Sequence, residues 1–339
     1  MRYDRLLSEI RIMKPQLKKQ IPAALILFFS VSSVLAKGPI GEFVDHATGV
    51  EALGTELGFS EKRIQEVETD YENKLYDAAE RKVKASVPWG DWIFSPSLKI
   101  KEIQSSARIP RTNRAIPSTL WDGRMSGDYK WKLAGTTGAG ARITGGSASD
   151  EPFKSLDEMF YDATFYVGAG VEPRTTFLFF INVSNLRPLL INWPVPGVSY
   201  GIRLSPHWGL SLGFPYWAFW AEPFDWLKFN LSIEPMFHLD SRLTVIPTRI
   251  FQIFLGAQAS QELYARKNRS YAGEYLIFDD FEFNTGIVQD LKYFFIELAG
   301  SYAPIRQIHE TRNYLDDRKS QYLELARGFA GQLSAKIKL

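Results

Sequence analysis

The chain has 339 residues and no cysteine; 45% of its residues are hydrophobic and 23% are charged. This composition excludes a disordered chain, which needs low hydrophobicity, and a disulfide scaffold or thiolate metal site, which needs cysteine. The net charge of +2 arises at the N-terminus, because residues 1–20 hold six basic and two acidic residues and residues 21–36 hold neither. The remaining 34 basic and 36 acidic residues give a net charge of −2, which argues against a nucleic-acid-binding surface.

Residues 1–36 have the pattern of a secretory signal peptide. Met13, an alternative start of translation, begins a basic stretch; an apolar run from Ile21 to Val34 follows, and Ala36 supplies a small residue at the cleavage point. A single membrane anchor is the alternative, but the run of about 14 to 16 residues is shorter than the roughly 20 that span a bilayer. The sequence therefore predicts secretion with cleavage after Ala36.

Residues 37–87 are predicted to form a helical periplasmic or plug segment. Between residues 60 and 86 the apolar residues recur in steps of three and four, as on one face of a helix: Ile64, Val67, Tyr71, Leu75 and Ala78. The opposite face would carry charges of both signs. Two interpretations remain open, a solvated helix that lies on a periplasmic partner or a plug that enters a lumen.

From residue 88 onward the pattern changes to alternation. The runs 198–204, 228–234, 251–260 and 280–287 place apolar residues at every second position, which gives a strand one apolar and one polar face. Strands are expected near residues 92–104, 128–144, 158–170, 174–186, 197–204, 208–220, 226–236, 240–247, 249–263, 274–290, 292–308 and 320–339.

The predicted fold class is all-β: a transmembrane antiparallel β-barrel of about 10–12 strands over residues 88–339, with a short N-terminal helical segment. A soluble β-sandwich also alternates, but these strands are longer than is usual in soluble sheets, and aromatic residues such as Trp208, Trp217 and Trp226 lie near strand ends. The last strand, residues 321–339, alternates up to the terminus, as in strands that bacterial barrel-assembly machinery recognises. The predicted location is therefore the bacterial outer membrane.

Two short motifs carry a resemblance to a known group of proteins. The stretch Pro-Val-Pro-Gly-Val-Ser-Tyr at 194–200 and the stretch Leu-Gly-Phe-Pro-Tyr at 212–216 resemble a pattern in a family of uncharacterised outer-membrane β-barrel proteins, a domain of unknown function. Residues 273–275, residues 279–280 and the closing strand pair are similar to it as well. The resemblance covers roughly residues 120–339 and implies an outer-membrane barrel, with no functional residues to carry over.

Motifs of enzymes and cofactor sites are not found in the sequence. It contains no phosphate-binding loop, no Gly-x-Ser-x-Gly elbow and no paired-histidine zinc helix, and Gly138-Ala139-Gly140 is more typical of a strand or turn. The pair His309 and Glu310 is a weak candidate for a hydrolytic or metal site, and Asp279, Asp280 and Glu282 are weak candidates for calcium. We expect neither an enzyme, nor a cofactor, nor a metal.

The polar faces of the predicted strands are the candidate functional surface. They are expected to line the lumen with residues of both charge signs: Lys130, Lys132, Lys228, Asn230, Glu234, Asp280, Glu282, Asn284, Glu324, Gln332, Lys336 and Lys338. A narrow channel or transport pore for small solutes is the favoured function, and a non-conducting structural or interaction scaffold is the alternative. The expected partners are outer-membrane lipid, the assembly machinery, a small solute, and a periplasmic partner for the helix at 60–86.

Overall fold

The computed structural model describes residues 55–70, 73–110, 112–133, 137–172, 175–185, 192–234, 238–267, 269, 274–311 and 322–338. Residues 1–36, the predicted signal peptide, lie outside this set. No helix in the described part of the chain is long and apolar enough to cross a membrane. One 3-10 turn, Leu156–Glu158, accompanies the strands.

The described residues form one sheet that closes on itself. Its strands are β1 Glu56–Glu68, β2 Leu75–Trp89, β3 Trp92–Ser105, β4 Thr119–Lys132, β5 Thr137–Ser149, β6 Met159–Glu172, β7 Thr175–Ser184, β8 Val195–Ser205, β9 Trp208–Phe214, β10 Trp217–Phe224, β11 Leu227–Glu234, β12 His238–Thr248, β13 Phe251–Ala265, β14 Tyr275–Leu291, β15 Phe294–Thr311, β16 Leu323–Glu324 and β17 Gly328–Lys338. Each strand from β1 to β15 pairs antiparallel with the next, and β17 pairs with both β15 and β1. Because β16 and β17 both pair with β15 and share one place in the wall, the barrel has 16 strands.

The helix predicted for residues 60–86 is wrong, because this segment forms most of the hairpin β1–β2. The strands pair in regular register from Glu56 opposite Ser86 to Ile64 opposite Ala78, and the register then shifts before Val67. This irregularity changes the phase of the alternation, so the apolar residues fall at helical spacing in the sequence although the backbone is extended. The described residues of this segment therefore belong to the barrel wall, and residues 37–54 of the predicted helical segment lie outside the described residues.

The strand count of 10–12 is also too low. Two predicted strands are hairpins, since 128–144 contains the turn between β4 and β5, and 208–220 contains the turn between β9 and β10. The β1–β2 hairpin adds two further strands. Gly138 to Gly140 lies in β5, in agreement with the expectation of a strand or turn.

The outer wall of the barrel is apolar. Phe179, Leu255 and Leu298 are 57%, 59% and 55% exposed, and their neighbours along each strand point to the opposite face. Outward-facing Phe, Leu, Ile, Val and Trp side chains follow one another around the strands, a surface that is stable only against lipid. The predicted transmembrane antiparallel barrel is therefore confirmed.

The two ends of the barrel differ in their connections. Connections at one end are short, including residues 90–91, 206–207, 225–226, 249–250 and 292–293. At the other end lie the longer connections 106–118, 150–158, 185–194, 266–274 and 312–322. The described strands begin with β1 and finish with β17 at the short-turn end.

Replacing Leu255 with arginine tests the outward direction of its side chain. An arginine near the middle of the lipid-facing wall is expected to lower the free energy of unfolding by about 2–4 kcal/mol. The matched control is Gln258→Arg on the same strand, which faces inward directly opposite Glu282 and gains an opposite charge as neighbour. Urea unfolding of the barrel in lipid vesicles measures both; equal losses in the two variants would contradict the assigned faces.

Candidate functional site

The inner wall brings together polar side chains from strands that are not neighbours. Lys62 Nζ on β1 lies 2.7 Å from Glu282 Oε1 on β14, and Lys101 Nζ on β3 lies 2.6 Å from Glu262 Oε2 on β13. Strands so far apart in the sheet order meet only through the interior of a closed barrel. These contacts identify the inward face, and they show that the lumen is crossed by side chains.

Ten charged residues form a layer that we call the ion-pair belt: Lys62, Glu80, Lys99, Lys101, Asp122, Arg124, Glu262, Asp280, Glu282 and Arg306. Five are basic and five are acidic, so the belt carries no net charge. Lys99 contacts Glu262 at 2.9 Å, and Arg124 contacts Asp122 at 2.6 Å. Each cation faces a carboxylate, so the low-polarity interior holds no unpaired charge here.

Arg306 on β15 is the most deeply buried cation of this belt, with a side chain 2% exposed. Its Nε donates to Asp280 at 2.9 Å and its Nη2 donates to Glu282 at 2.8 Å. Glu282 also accepts from Lys62. One guanidinium therefore joins two carboxylates of β14, and through Glu282 it connects β15 to β1.

An apolar layer lies between the ion-pair belt and the long-loop end. Ile109, Leu276, Ile308 and Leu323 are fully buried in it, together with Tyr76 and Tyr264 at 1% exposure. Ile109 belongs to the connection between β3 and β4, so part of this connection packs with the strand residues. Together the belt and the apolar layer fill the barrel beside β13, β14, β15, β16, β17, β1, β2, β3 and β4; we call this the filled half.

The filled half is separated from the rest of the barrel at the long-loop rim. Ala265 at the end of β13 pairs with Ser149 at the end of β5, although eight strand positions separate them in either direction around the wall. Beyond this contact, the Lys267 amide donates to Asp150 at 2.8 Å, and Glu151 bridges Lys154 and Lys267. Hydrogen bonds from the two lysines lower the pKa of the Glu151 carboxyl. Opposite walls of the barrel thus touch at one end.

The wall from β6 to β12, which we call the open half, has a different interior. Asp240 near the long-loop end, Asn230 at mid-strand and Arg203 near the short-turn end all occupy inward positions and are exposed. Asn230 pairs directly with Arg242 and Trp220 on the adjacent strands. Accessible inward residues therefore occur at three levels along the barrel axis.

Aromatic rings in this region lie over glycines of adjacent strands. Tyr166 covers Gly140, Phe180 covers Gly197, and Trp220 covers Gly209, each on an adjacent strand, with no room for a Cβ at the glycine. A glycine beneath an aromatic ring lets the ring lie flat on the sheet. Tyr166 and Phe180 are buried and pack with Leu178 and Tyr216 in a second apolar cluster, so this part of the open half is packed.

Most of the residues predicted to line the lumen occupy inward positions, although the contacts differ. Asp280 and Glu282 belong to the ion-pair belt, whereas Lys228 contacts Glu222 at 2.8 Å and Lys336 contacts Glu56 at 2.5 Å. The strand register also places Lys130, Asn230, Asn284, Gln332 and Lys338 on the inward side. Lys132 and Glu234 lie in strands, but their side chains are outside the described residues.

Glu324 does not belong with this inward set. Its side chain is exposed and accepts a hydrogen bond from Gln307 at 3.1 Å, while the adjacent Leu323 is fully buried in the apolar layer. Residues 325–327 interrupt the strand between β16 and β17. The alternation of apolar and polar residues predicted over 321–339 is therefore out of phase on the two sides of this break.

The sequence did not identify the residues that form most of the belt. Lys62 and Glu80 lie in the segment taken for a helix, and Lys99, Lys101 and Glu262 lie in predicted strands but were not singled out. One signal in the sequence does point to Lys62. If the strand alternation is extended back through residues 56–64, Glu56, Gly58, Ser60 and Lys62 fall on one face of a strand.

The weak catalytic and metal candidates are placed apart or already paired. The His309 ring packs edge-on against Tyr322, while Glu310 pairs with Arg266. Asp280 and Glu282 bind Arg306, and Asp279 accepts from Gln261. Within the described residues no group of three or more acidic, histidine or cysteine side chains is placed to hold a metal ion.

A closed wall of 16 antiparallel strands, apolar outside and polar inside, defines a transmembrane β-barrel. Neither protein-family models nor curated proteins match the chain. Solved structures do resemble it. The CymD monoaromatic hydrocarbon channel is 9% identical with a TM-score of 0.38, over 92% of this chain and 97% of that one.

Two further solved barrels show how broad this resemblance is. The toluene transporter TodX of Pseudomonas putida is 8% identical with a TM-score of 0.36, over 92% of this chain and 96% of that one. The translocator domain of the autotransporter NalP from Neisseria meningitidis is also 8% identical, with a TM-score of 0.34, over 91% of this chain and 100% of that one. Likeness at this level carries no information on substrate or activity.

Replacing Arg306 with methionine tests the energetic importance of the ion-pair belt. The change leaves Asp280 and Glu282 buried without their shared cation, and is expected to lower the free energy of unfolding by about 3–5 kcal/mol. Lys154→Met is the control, because the Lys154 side chain is 61% exposed and its surface pair with Glu151 is expected to contribute little to stability. Urea titrations in vesicles compare the two; a loss no larger at Arg306 than at Lys154 would show that the belt does not hold the filled half together.

Proposed function

We propose that the protein is a passive channel for small solutes and that the solutes pass along the open half of the barrel. The observation that carries this proposal is the series of exposed inward residues Asp240, Asn230 and Arg203, which extends from near the long-loop end to near the short-turn end. An inner wall that water reaches at successive levels is what a polar route through a membrane requires.

The filled half sets the expected size of the solute. A wall of 16 strands encloses enough space for a wide aqueous channel when its interior is empty. Here the ion-pair belt and the apolar layer occupy one side, and β5 touches β13 at the rim. The route is therefore confined to a fraction of the cross-section, which favours small solutes over large ones.

The proposed location is the outer membrane of a bacterium. Outer-membrane barrels have an even number of strands, short turns on the periplasmic side and long loops on the outer side, and this barrel shares these features. The signal-peptide pattern of residues 1–36 and the amphipathic last strand support the same location. Outer-membrane lipid and the barrel-assembly machinery are the partners that follow from it.

A non-conducting scaffold is the alternative, and the filled half favours it. Tightly packed apolar and paired charged residues inside a barrel contribute stability whether or not solutes pass. The exposed inward residues of the open half are not explained by a purely structural role, since a scaffold gains nothing from a wetted interior. An enzyme is third, because His309 and Glu310 are not joined with a nucleophile among the described residues.

Single-channel recording in planar lipid bilayers tests the channel. The protein is expected to give discrete conductance steps, and Asn230→Trp is expected to lower the unit conductance because the larger side chain enters the route. Leu231→Trp is the matched control, since the adjacent residue pairs on the lipid-facing side with Phe219 and leaves the lumen unchanged.

Two outcomes would count against the proposal. Absence of discrete steps in correctly folded protein would exclude a channel and leave the scaffold. Steps of unchanged size in Asn230→Trp would move the route away from the open half.

A further inference from the structure

Three lysines project into the lumen from two strands at the short-turn end. Lys336 and Lys338 lie on β17 and Lys84 lies on β2, on either side of β1; we call these three residues the lysine patch. The patch lies on the short-turn side of the ion-pair belt. Strand β1 starts at the short-turn end, and its inward residues beside the patch precede the belt residue Lys62.

The strand register brings these lysines close together. Gly58 pairs with Lys336 on one side and Lys84 on the other, so two lysines flank a single glycine. The Lys84 side chain leans over Gly58, with its Cγ 3.4 Å from the position of a Cβ there. Neighbouring strands are about 4.8 Å apart, so the Lys84 and Lys336 backbones are separated by roughly 10 Å.

Acidic residues do not balance this charge. Glu56 contacts Lys336 at 2.5 Å and is the one inward carboxylate of β1 in the described residues on this side of Lys62. Lys84 and Lys338 make no ion pair with any described residue. On the facing wall Arg203 likewise lacks an ion pair within the described chain, and its guanidinium lies 5.8 Å from the Trp220 ring centre.

The contrast with the ion-pair belt indicates a role for this excess charge. In the belt, five cations meet five anions, so the chain satisfies itself. Like charges gathered on one wall repel each other, and cations without an ion-pair partner attract anions from solution. The ion-pair belt has equal numbers of positive and negative charges, whereas the lysine patch has an excess of positive charge. This difference points to a ligand that supplies negative charge to the patch.

We propose that the lysine patch is a binding site for small dissolved anions, such as carboxylates or inorganic anions, and that it makes the channel anion-selective. This selectivity rests on the proposed function, because it requires a conducting route. The site itself requires only that an anion reaches the inner wall, which the exposure of Lys84 permits. Lys84 and Lys338 bind the anion, and Glu56 keeps Lys336 in place.

The reversal potential in a KCl gradient across a planar bilayer measures the selectivity. The unmodified protein is expected to favour chloride, with a preference that falls with salt because the screening length shrinks from about 10 Å at 0.1 M to about 3 Å at 1 M. The double variant Lys84→Glu/Lys338→Glu is expected to lose or reverse the preference. Arg249→Glu makes the same change of charge per residue in the turn before β13, outside the patch, and is expected to retain it.

Binding of the fluorescent anion pyranine to the folded barrel in detergent is a second readout that does not need conductance. The affinity for pyranine is expected to be about tenfold weaker in the double variant, because the loss of hydrogen bonds to charged groups weakens binding by about this factor. Circular dichroism and the heat-dependent shift in gel mobility establish that each variant is folded.

The two readouts separate the two proposals. Discrete conductance without anion preference, and with equal pyranine binding in both proteins, overturns the anion site and leaves the channel. Pyranine binding that depends on Lys84 and Lys338 in a protein without conductance overturns the channel and supports the site. Anion preference lost in the double variant and kept in Arg249→Glu supports both.

Discussion

The antiparallel pair between β1 and β17 is the interaction on which the rest of the structure depends. Hydrocarbon offers no hydrogen-bonding partner to a backbone amide, so a sheet in a membrane must have no free edge. The pairing of residues 56–64 with 330–338 joins the first and last described strands and removes both edges. Closure then fixes which side chains face lipid, which share the interior, and why Lys62 on β1 reaches Glu282 on β14.

Inside the closed wall, charge and apolar packing divide the lumen into unequal parts. The ion-pair belt gathers charges from seven strands and leaves none unmatched, and the apolar layer above it is as tightly buried as a soluble core. The open half keeps exposed residues on its inner wall, beside a smaller apolar cluster that contains Tyr166 and Phe180. The proposed channel function follows from the exposed inward residues of the open half. The proposed anion preference follows from Lys84 and Lys338, which have no ion-pair partner among the described residues.

The sequence predicted the class of fold more reliably than the first strands or the site. Residues 226–308 alternate clearly because their outer face meets lipid and their inner face is polar, so strands β11 to β15 were foreseen. Residues 60–86 were misread because a register shift after Ile64 broke the alternation and because inward charges resembled the solvated face of a helix. The partners of those charges, Glu282 for Lys62 and Glu262 for Lys101, are about 160 to 220 positions away along the chain, and local periodicity carries no information on such pairs.

Thiol labelling is the most direct test of the division of the lumen into a filled half and an open half. The chain has no cysteine, so Asn230→Cys and Ala78→Cys each place a single thiol, one in the open half and one in the apolar layer. A charged thiol reagent added to the barrel in vesicles is expected to modify Asn230→Cys rapidly and to leave Ala78→Cys unmodified until the protein is unfolded. Equal reactivity at the two positions in the folded barrel would contradict the division of the lumen.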